Sequence, residues 1–210
     1  MFKLLLILFS SLLVFADVSS SITKITPLVK KRMLQGQSWK KGCPVSLEDL
    51  RYLHIKHLNF QGKTVLGEMI VHKDVAREVV DLFYELYEMQ YPIYKMDLIS
   101  KYRGNDWQSI ESGNTSAFNC RNATGSKKWS KHSYGKAIDI NPIENPYIAR
   151  NGYISHKASE KYRKRVHKNR GYADKAVLLK NDKATKIFEK YGWKWGGDWS
   201  GVKDYQHFSK

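Results

Sequence analysis

Two short motifs contain residue types that can bind a metal ion. His132 and Asp139 lie seven residues apart, with Gly135, which permits a tight turn, between them; Asp204 lies three residues before His207. Two imidazoles and one carboxylate are ligands that zinc takes in catalytic sites, where one position is left for water. A further carboxylate beside the metal could act as a general base by accepting the proton of that water. Spacing alone leaves open a structural role for each histidine, since a single histidine is more often only a hydrogen-bonding group.

The elements that must position these motifs are short. The first motif leads into a buried strand predicted at residues 137–140, and the second lies in an aromatic C-terminal segment, residues 193–208. Periodicity and turn signals elsewhere predict a helical turn opened by a Ser46–Asp49 capping box, a β-hairpin with strands at 51–60 and 64–72, a helix from its cap Asp74 to Gln90, a strand at 93–99 and a helix at 182–191. Because hairpins and isolated helices occur without a βαβ rhythm, we expect an α+β fold.

Three segments lack a clear periodicity. Residues 17–37 are rich in Ser, Thr and Lys and are interpreted as a loose leader arm before a main domain at residues 38–210. Residues 100–131 are polar and predicted to be mostly loop, with a short strand possible at 117–121. Residues 157–175 carry eight basic side chains against two acidic ones, which indicates a solvated loop or helix beside the main body.

Length and charge exclude several classes of protein. The chain has 210 residues, enough for one domain with a hydrophobic core, and its 42% hydrophobic content excludes a disordered chain. It has no run of about 18 apolar residues, so a multispanning membrane protein is excluded. The formal charge of +16 suggests an anionic partner, such as nucleic acid, an anionic membrane or an acidic polymer.

The N-terminus predicts export. A short basic start precedes the apolar residues 4–15, and small residues precede a possible cleavage after Ala16, so residues 1–16 have the features of a signal peptide. An uncleaved N-terminal anchor is the alternative; after cleavage no transmembrane span is expected. In an oxidising compartment Cys43 and Cys120 would form a disulfide, and two buried free thiols are the alternative.

The two motifs also carry a family resemblance. Ser-x-His-x-x-Gly-x-Ala-x-Asp at residues 130–139, followed by Asp-x-x-His at 204–207, resembles zinc peptidases of the D-alanyl-D-alanine carboxypeptidase and L-alanyl-D-glutamate endopeptidase family. Four further segments share it: Gly42–Val45, Asn114–Arg121, Asp139–Pro142 and Trp195–Trp199. The resemblance spans residues 38–210 and implies the hedgehog/DD-peptidase fold, an α+β fold with a central, mostly antiparallel sheet flanked by helices.

The resemblance implies a role for each residue of the site. The zinc ligands would be His132, Asp139 and His207, and Asp204 lies where the family places its general base. The family also uses an arginine to stabilise the oxyanion. Arg121, eleven residues before His132, is favoured slightly over Arg103, and either could instead be an exposed structural arginine.

Six further residues are candidates for supporting the ligands or contacting the substrate: Ser130, Tyr134, Gly135, Asn141, Asp198 and Trp199. Ser130 and Gly135 would shape the turn that carries His132. Trp199 could belong to a substrate platform, although aromatic residues at this density more often form core.

The function implied is that of an exported zinc metallopeptidase of the bacterial periplasm or cell wall, which hydrolyses peptidoglycan stem peptides at a D-Ala-D-Ala or L-Ala-D-Glu bond. We expect a monomer whose positive charge suits the anionic cell envelope, with no nucleic-acid partner. Two alternatives stay open. One is a non-catalytic zinc-containing binding relative, against which the intact Asp204 argues; the other is a basic cell-wall or nucleic-acid-binding module that uses residues 157–175.

Overall fold

The computed structural model describes residues 19–168 and 170–210. The predicted signal peptide, residues 1–16, lies outside these ranges. No helix within them is long and apolar enough to span a membrane.

Short strands and helices make up the regular structure of the described ranges. The strands are β1 (Ser21–Lys24), β2 (Leu50–Leu58), β3 (Thr64–His72), β4 (Ala137–Asp139), β5 (Tyr147–Ile148), β6 (Lys194–Trp195), β7 (Lys203–Asp204) and β8 (His207–Ser209). The α-helices are α1 (Pro27–Gln35), α2 (Ala76–Glu88), α3 (Asp106–Glu111), α4 (Tyr172–Lys175) and α5 (Lys183–Lys190). Turns of 3₁₀ helix lie at Leu47–Asp49, Lys73–Val75, Ile99–Tyr102, Lys131–Tyr134, Lys157–Tyr162 and Gly196–Asp198. This mixture confirms the predicted α+β class.

The strands form three antiparallel sheets instead of the single central sheet that was expected. Their strand orders are β1-β2-β3, β4-β8-β6 and β5-β7. The first sheet is joined to the chain around the second by single hydrogen bonds, from the His72 N–H to the Gly135 carbonyl at 2.9 Å and from the Phe118 N–H to the Ile70 carbonyl at 3.0 Å. The sheet is divided because the strands of the second and third sheets are only two or three residues long.

One hydrophobic core lies between the β2–β3 hairpin and helices α2 and α5. Leu53 of β2, Met69 of β3 and Leu82 of α2 are almost fully buried in it. Phe188 of α5 stacks on Phe208 of β8, with ring centroids 3.8 Å apart. Burying a side chain of this size contributes about 1.5–3 kcal/mol. The core therefore fixes the position of β8, the strand that begins with His207. The predicted β-hairpin and the helix predicted at 182–191 are confirmed.

Residues 21–35, which fall in the predicted leader arm, form part of this folded unit. β1 pairs with β2, and α1 begins with a Thr26 cap and Pro27 in its first turn, both of which favour the start of a helix. Met33 is fully buried, and Arg32 forms a two-pronged ion pair with Glu68 of β3 at 2.6 and 2.7 Å. The interpretation of this segment as a loose arm is wrong. Its contacts are with β2 and β3, which lie later in the chain, so its own sequence shows no periodicity that would indicate packing.

Residues 93–99 do not form the predicted strand. The Tyr94 N–H donates to Asn141 Oδ1 at 2.9 Å and the Asp97 N–H to Asn114 Oδ1 at 2.7 Å, so side chains take hydrogen bonds that a strand partner would otherwise receive. Pro92, just before the segment, has no N–H to donate. The pairing that remains is limited to isolated bridges.

Helix α2 begins at Ala76, later than the cap predicted at Asp74. A 3₁₀ turn precedes it, in which His72 Nδ1 accepts a hydrogen bond from the Asp74 N–H at 3.2 Å. The Asp74 carboxylate pairs instead with Lys136 at 3.1 Å. Asp74 therefore ties the start of α2 to the segment that follows the His132 turn.

Cys43 and Cys120 form a disulfide, with their Cα atoms 5.8 Å apart. The disulfide was the favoured prediction, and the alternative of two free thiols is wrong. It joins the chain before β2 to the chain before Arg121 across a sequence separation of 77 residues. In the chain-entropy model, closing such a loop stabilises the folded state by about 4 kcal/mol.

The basic segment at residues 157–175 is not wholly solvated. Arg165 is partly buried and donates to the Glu144 carbonyl at 2.6 Å, to Asn145 Oδ1 at 2.6 Å and to the Leu178 carbonyl at 2.9 Å. The prediction of solvated cations is therefore wrong for Arg165. Its acceptors come from other parts of the chain, so the local composition gave no sign of them.

Candidate metal centre

The turn that carries His132 is held at both ends. At its start, Ser130 Oγ accepts a hydrogen bond from the His132 N–H at 3.3 Å. At its end, Gly135 has φ of 65°, a left-handed conformation that glycine adopts without strain. A Cβ at this position would lie 2.5 Å from the backbone nitrogen of His72. Ser130 and Gly135 thus shape the turn and let it pack directly on the end of β3.

The His132 side chain is oriented by a backbone carbonyl. Its Nδ1 lies 2.6 Å from the carbonyl oxygen of Ala117, which can only accept, so Nδ1 carries the proton. Nε2 is then left with its lone pair, and it lies 3.2 Å from Asp139 Oδ2 and 3.3 Å from His207 Nδ1. A hydrogen bond from the second ring nitrogen is how proteins fix the tautomer of a metal-binding histidine.

Asp139 and His207 meet because their strands pair. They are direct partners in the antiparallel register of β4 and β8, and His207 Nδ1 lies 2.9 Å from Asp139 Oδ1. His132, Asp139 and His207 each offer one potential ligand atom, and these three atoms all lie within 4.8 Å of one another. The three residues predicted as ligands therefore lie together, although His132 and His207 are 75 positions apart in the sequence.

The electrostatics of the three groups favour a negative carboxylate. Burial raises the pKa of Asp139, but the charge and hydrogen bonds of His132 and His207 outweigh it, and the pKa falls well below its usual range. Burial lowers the pKa of His132, and the Asp139 carboxylate more than reverses this. The centre therefore stabilises a positive charge placed between its ring nitrogens and its carboxylate.

Asp204 supplies a carboxylate oxygen beside this centre. Its Oδ1 is buried and has no hydrogen-bond partner among the described residues. Burial and the nearby Asp139 carboxylate raise its pKa to about 6. Its backbone packs closely on Gly196, where a Cβ would lie 2.5 Å from the Asp204 carbonyl oxygen. Next to three potential metal ligands, such an oxygen can accept a hydrogen bond from a water or another molecule bound at the centre.

These residues fit a zinc ion. Two imidazole nitrogens and one carboxylate are the three protein ligands that a catalytic zinc site would need, its fourth position being taken by water. Residues 124–210, which include all four of these side chains, match a family model described as D-alanyl-D-alanine carboxypeptidase. This segment is similar to that family. The resemblance predicted from the sequence is confirmed over this segment, and neither the curated proteins nor the solved structures give a match to the chain.

The two candidate arginines lie before the segment that matches the carboxypeptidase family. Arg121 pairs with Asp106, and its backbone N–H donates to Ser133 Oγ, next to His132, at 2.9 Å. Its positive charge lowers the pKa of His132, so it acts on the centre. The Arg103 side chain is exposed, at the end of the Ile99–Tyr102 turn, and makes no hydrogen bond or ion pair with the residues that the structure describes. The geometry favours Arg121 of the two.

The remaining candidates lie at different distances from His132, Asp139 and His207. Trp199 is half-exposed and its ring centroid lies 5.3 Å from that of His207. Asn141 is fully buried and donates to the Pro92 carbonyl at 2.8 Å, so it holds the chain that follows Asp139. Asp198 forms an exposed ion pair with Lys180 at 3.0 Å, and Tyr134 points into a groove described below.

Two contributors to the centre were not predicted. The Ala117 carbonyl orients His132, and Asp106 pairs with Arg121. Ala117 lies in the Asn114–Arg121 segment that carried the family resemblance, so this segment was a usable signal. Asp106 opens α3 in a region predicted to be mostly loop, where no pattern singled it out.

Proposed function

We propose that this protein is an exported zinc peptidase that hydrolyses peptidoglycan stem peptides at a D-Ala-D-Ala or L-Ala-D-Glu bond. We propose with it the hedgehog/DD-peptidase fold for residues 38–210. The family match indicates a carboxypeptidase and so a hydrolase. The bond cleaved, the zinc ion and export belong to the proposal.

The observation that carries it is the convergence of three metal-binding side chains beside a carboxylate oxygen without a partner. His132, Asp139 and His207 supply the ligand atoms, and Asp204 Oδ1 is the orphaned acceptor. All four lie within the matched segment. A structural zinc site would be closed by a fourth side chain, whereas three ligands and a nearby base are the arrangement of a hydrolytic site.

Bound zinc would lower the pKa of water from about 15.7 to about 7 and polarise the scissile carbonyl. Asp204 is ionised at neutral pH, since its pKa is about 6, and takes the proton of the attacking water. As the carbon–nitrogen bond breaks, Asp204 passes that proton to the departing amine. The reaction consumes one water per bond and needs no covalent intermediate on the protein.

Two further side chains act on the substrate in this scheme. The Arg121 guanidinium, held by Asp106, stabilises negative charge on the carbonyl oxygen as it develops. Trp199, half-exposed beside His207, offers a flat surface to the peptide next to the scissile bond. An aromatic wall of this kind positions a substrate by apolar contact and excludes water from one side.

The proposal places the enzyme outside the cytoplasm as a monomer in the bacterial periplasm or cell wall. The Cys43–Cys120 disulfide is typical of oxidising compartments, and a formal charge of +16 favours the anionic envelope. A nucleic-acid-binding role for residues 157–175 is less well supported. The Arg165 guanidinium is bound to backbone carbonyls and Arg163 is paired with Glu160 at 2.8 Å, which leaves fewer cations available.

Digestion of purified muropeptides tests the proposal. The protein is incubated with them alone, with a chelator, and with the chelator followed by added zinc, and products are identified by mass spectrometry. We expect loss of a terminal D-Ala or release of D-Glu-containing fragments, abolished by chelation and restored by zinc. The absence of any zinc-dependent product would contradict the peptidase and support the non-catalytic zinc-binding relative.

A further inference from the structure

A groove lies next to the metal centre and shares the turn that carries His132. Its volume is about 1070 Å³, and it is lined by Pro44, Val45, Asp49, His72, Asp74, Val75, Lys128, Trp129, Lys131, Tyr134, Lys136 and Lys210. Lys131 and Tyr134 are in the 3₁₀ turn with His132. The ligand side chains and Asp204 are not part of this lining. The groove is therefore a separate surface, one turn of backbone away from the proposed zinc site.

The groove carries positive charge that nearby acids do not neutralise. Its two acidic side chains are engaged, Asp74 with Lys136 at 3.1 Å and Asp49 with Lys73 at 2.6 Å. Lys128 and Lys131 are exposed and make no ion pair with the residues that the structure describes. Two lysines with no acid partner in a concave surface favour a ligand that carries carboxylates or other anions.

The same groove exposes two aromatic rings. Trp129 is 37% exposed and Tyr134 is 39% exposed, and both line the cleft. Trp129 is held by a small hairpin, in which it pairs with Asn122 and the Ala123 N–H donates to the Lys128 carbonyl at 2.9 Å. Flat aromatic faces suit the apolar faces of pyranose rings.

The size and shape of the groove restrict the ligand further. Its volume is at the upper end of pockets for small molecules, and one side is open to solvent, so it suits a segment of a polymer. Sugar rings for the aromatic faces and carboxylates for the lysines occur together on a glycan strand that carries acidic stem peptides.

We propose that this groove binds the glycan strand of peptidoglycan, with Trp129 and Tyr134 against the sugar rings and Lys128 and Lys131 near carboxylates of the attached stem peptides. This inference rests on the proposed function, because it takes the scissile peptide to lie at the neighbouring zinc site. The groove would then hold the polymer while one of its stem peptides reaches the centre.

Binding to insoluble peptidoglycan tests the groove without any turnover. The full-length protein carrying Asp204→Asn is sedimented with intact peptidoglycan and with glycan strands stripped of their peptides. Trp129→Ala and Lys128→Gln are added singly, and Trp107→Ala and Lys157→Gln are matched controls, since both residues are exposed and lie outside the groove. Thermal unfolding of each variant establishes that it is folded.

We expect Trp129→Ala to weaken binding to both polymers by about tenfold, as loss of a central aromatic contact does. Lys128→Gln is expected to weaken binding to intact peptidoglycan several-fold and to leave binding to stripped glycan unchanged. Unchanged binding by Trp129→Ala, or equal losses in the two control variants, would overturn the proposal. If Trp129→Ala weakened binding only when peptides are present, the ligand of the groove would be peptide, and the glycan assignment would be wrong.

Failure of this proposal and failure of the proposed function are distinguishable. The sedimentation assay requires no hydrolysis, so a protein without zinc-dependent products could still bind through the groove. The converse outcome is zinc-dependent hydrolysis by the protein together with polymer binding that Trp129→Ala and Lys128→Gln leave unchanged. That result would support the proposed function and contradict the proposed role of the groove.

Discussion

The metal centre and the cluster formed by Arg165 and Glu144 differ in what their charged atoms face. In the metal centre, the ionisable atoms of His132, Asp139 and His207 face one another at 2.9 to 3.3 Å. In the second cluster, Arg165 and Glu144 do not pair through their charged ends. Arg165 donates to carbonyl and amide oxygens, and Glu144 Oε2 has no hydrogen-bond partner in the described part of the chain.

The pKa values follow this difference. Burial alone dominates the second cluster, where it raises the pKa of Glu144 to about 7 and lowers that of Arg165 to about 10. In the metal centre, neighbouring imidazoles overcome burial and lower the pKa of Asp139. Burial without a charge partner favours the neutral form. The comparison indicates that the first cluster is arranged to hold a cation, while the second holds chain segments together.

Replacing one of the three candidate metal ligands should have the largest effect on metal binding and on activity. His207→Ala is expected to lose bound zinc and to lower stem-peptide hydrolysis by about a thousandfold or more, since a catalytic metal supplies several kcal/mol of stabilisation to the transition state. Metal content by elemental analysis and product formation by mass spectrometry check this together. Normal zinc content in a folded His207→Ala variant would show that the ligand set is wrong.

Removing Arg165 should affect stability rather than metal binding. Arg165→Met removes the donor to the Glu144 and Leu178 carbonyls and one of the two donors to Asn145 Oδ1, which keeps the Leu178 N–H. It also loses the contact with the Tyr205 ring, 4.4 Å away. We expect the free energy of unfolding in urea to fall by about 3 kcal/mol, as for a broken buried network.

Arg165→Lys is the matched control for this change, because it keeps the charge but not the planar fork of donors. It should recover only part of the stability. Zinc content per folded molecule should be normal in both variants. If Arg165→Met lost zinc while remaining folded and as stable as the wild type, the separation between the two clusters would be wrong.

The ionisation of Glu144 should change the free energy of unfolding by a smaller amount than removal of Arg165, and this change depends on pH. Its folded-state pKa of about 7 lies above the ordinary value of 4.5, so between these values the folded protein binds more protons than the unfolded chain. Stability from this group is therefore present below about pH 4.5 and is lost as the pH rises to 7, by up to about 3 kcal/mol.

Glu144→Gln should lack this loss. Measured by urea unfolding at pH 5 and pH 8, the variant should gain stability relative to the wild type at the higher pH. An identical change with pH in the two proteins would contradict the burial of a carboxyl without a cationic partner at this position.

The grouping of His132 with Asp139 has a local signal in the sequence, while the full ligand set stays a prediction that the family resemblance implies. His132, Gly135 and Asp139 lie in one ten-residue motif, and the turn and strand that it encodes place the first two ligands together. Long hairpin strands and amphipathic helices were likewise predicted, since burial of one face imposes a period on the sequence. Placing His207 opposite Asp139 required the family resemblance, because register between short strands has no local pattern.

The features that the sequence did not predict depend on contacts with residues far away in the chain. β1 is exposed along its length, so its pairing with β2 leaves no alternation of apolar residues. Residues 93–99 resemble a strand, yet the side chains of Asn114 and Asn141 take its backbone hydrogen bonds. Arg165 resembles its solvated neighbours in composition, and only the carbonyls brought to it by folding distinguish it.

The central claim is that Asp204 is the base at a zinc site formed by His132, Asp139 and His207. Its most direct test compares two substitutions that each neutralise one buried carboxylate with little change of shape, Asp204→Asn and Glu144→Gln. Zinc content and hydrolysis of stem peptides are measured for both at neutral pH. We predict that both keep zinc, that Asp204→Asn loses about 10²- to 10⁴-fold in turnover, and that Glu144→Gln remains close to the wild type. Near-normal turnover by a zinc-loaded Asp204→Asn variant would contradict the account.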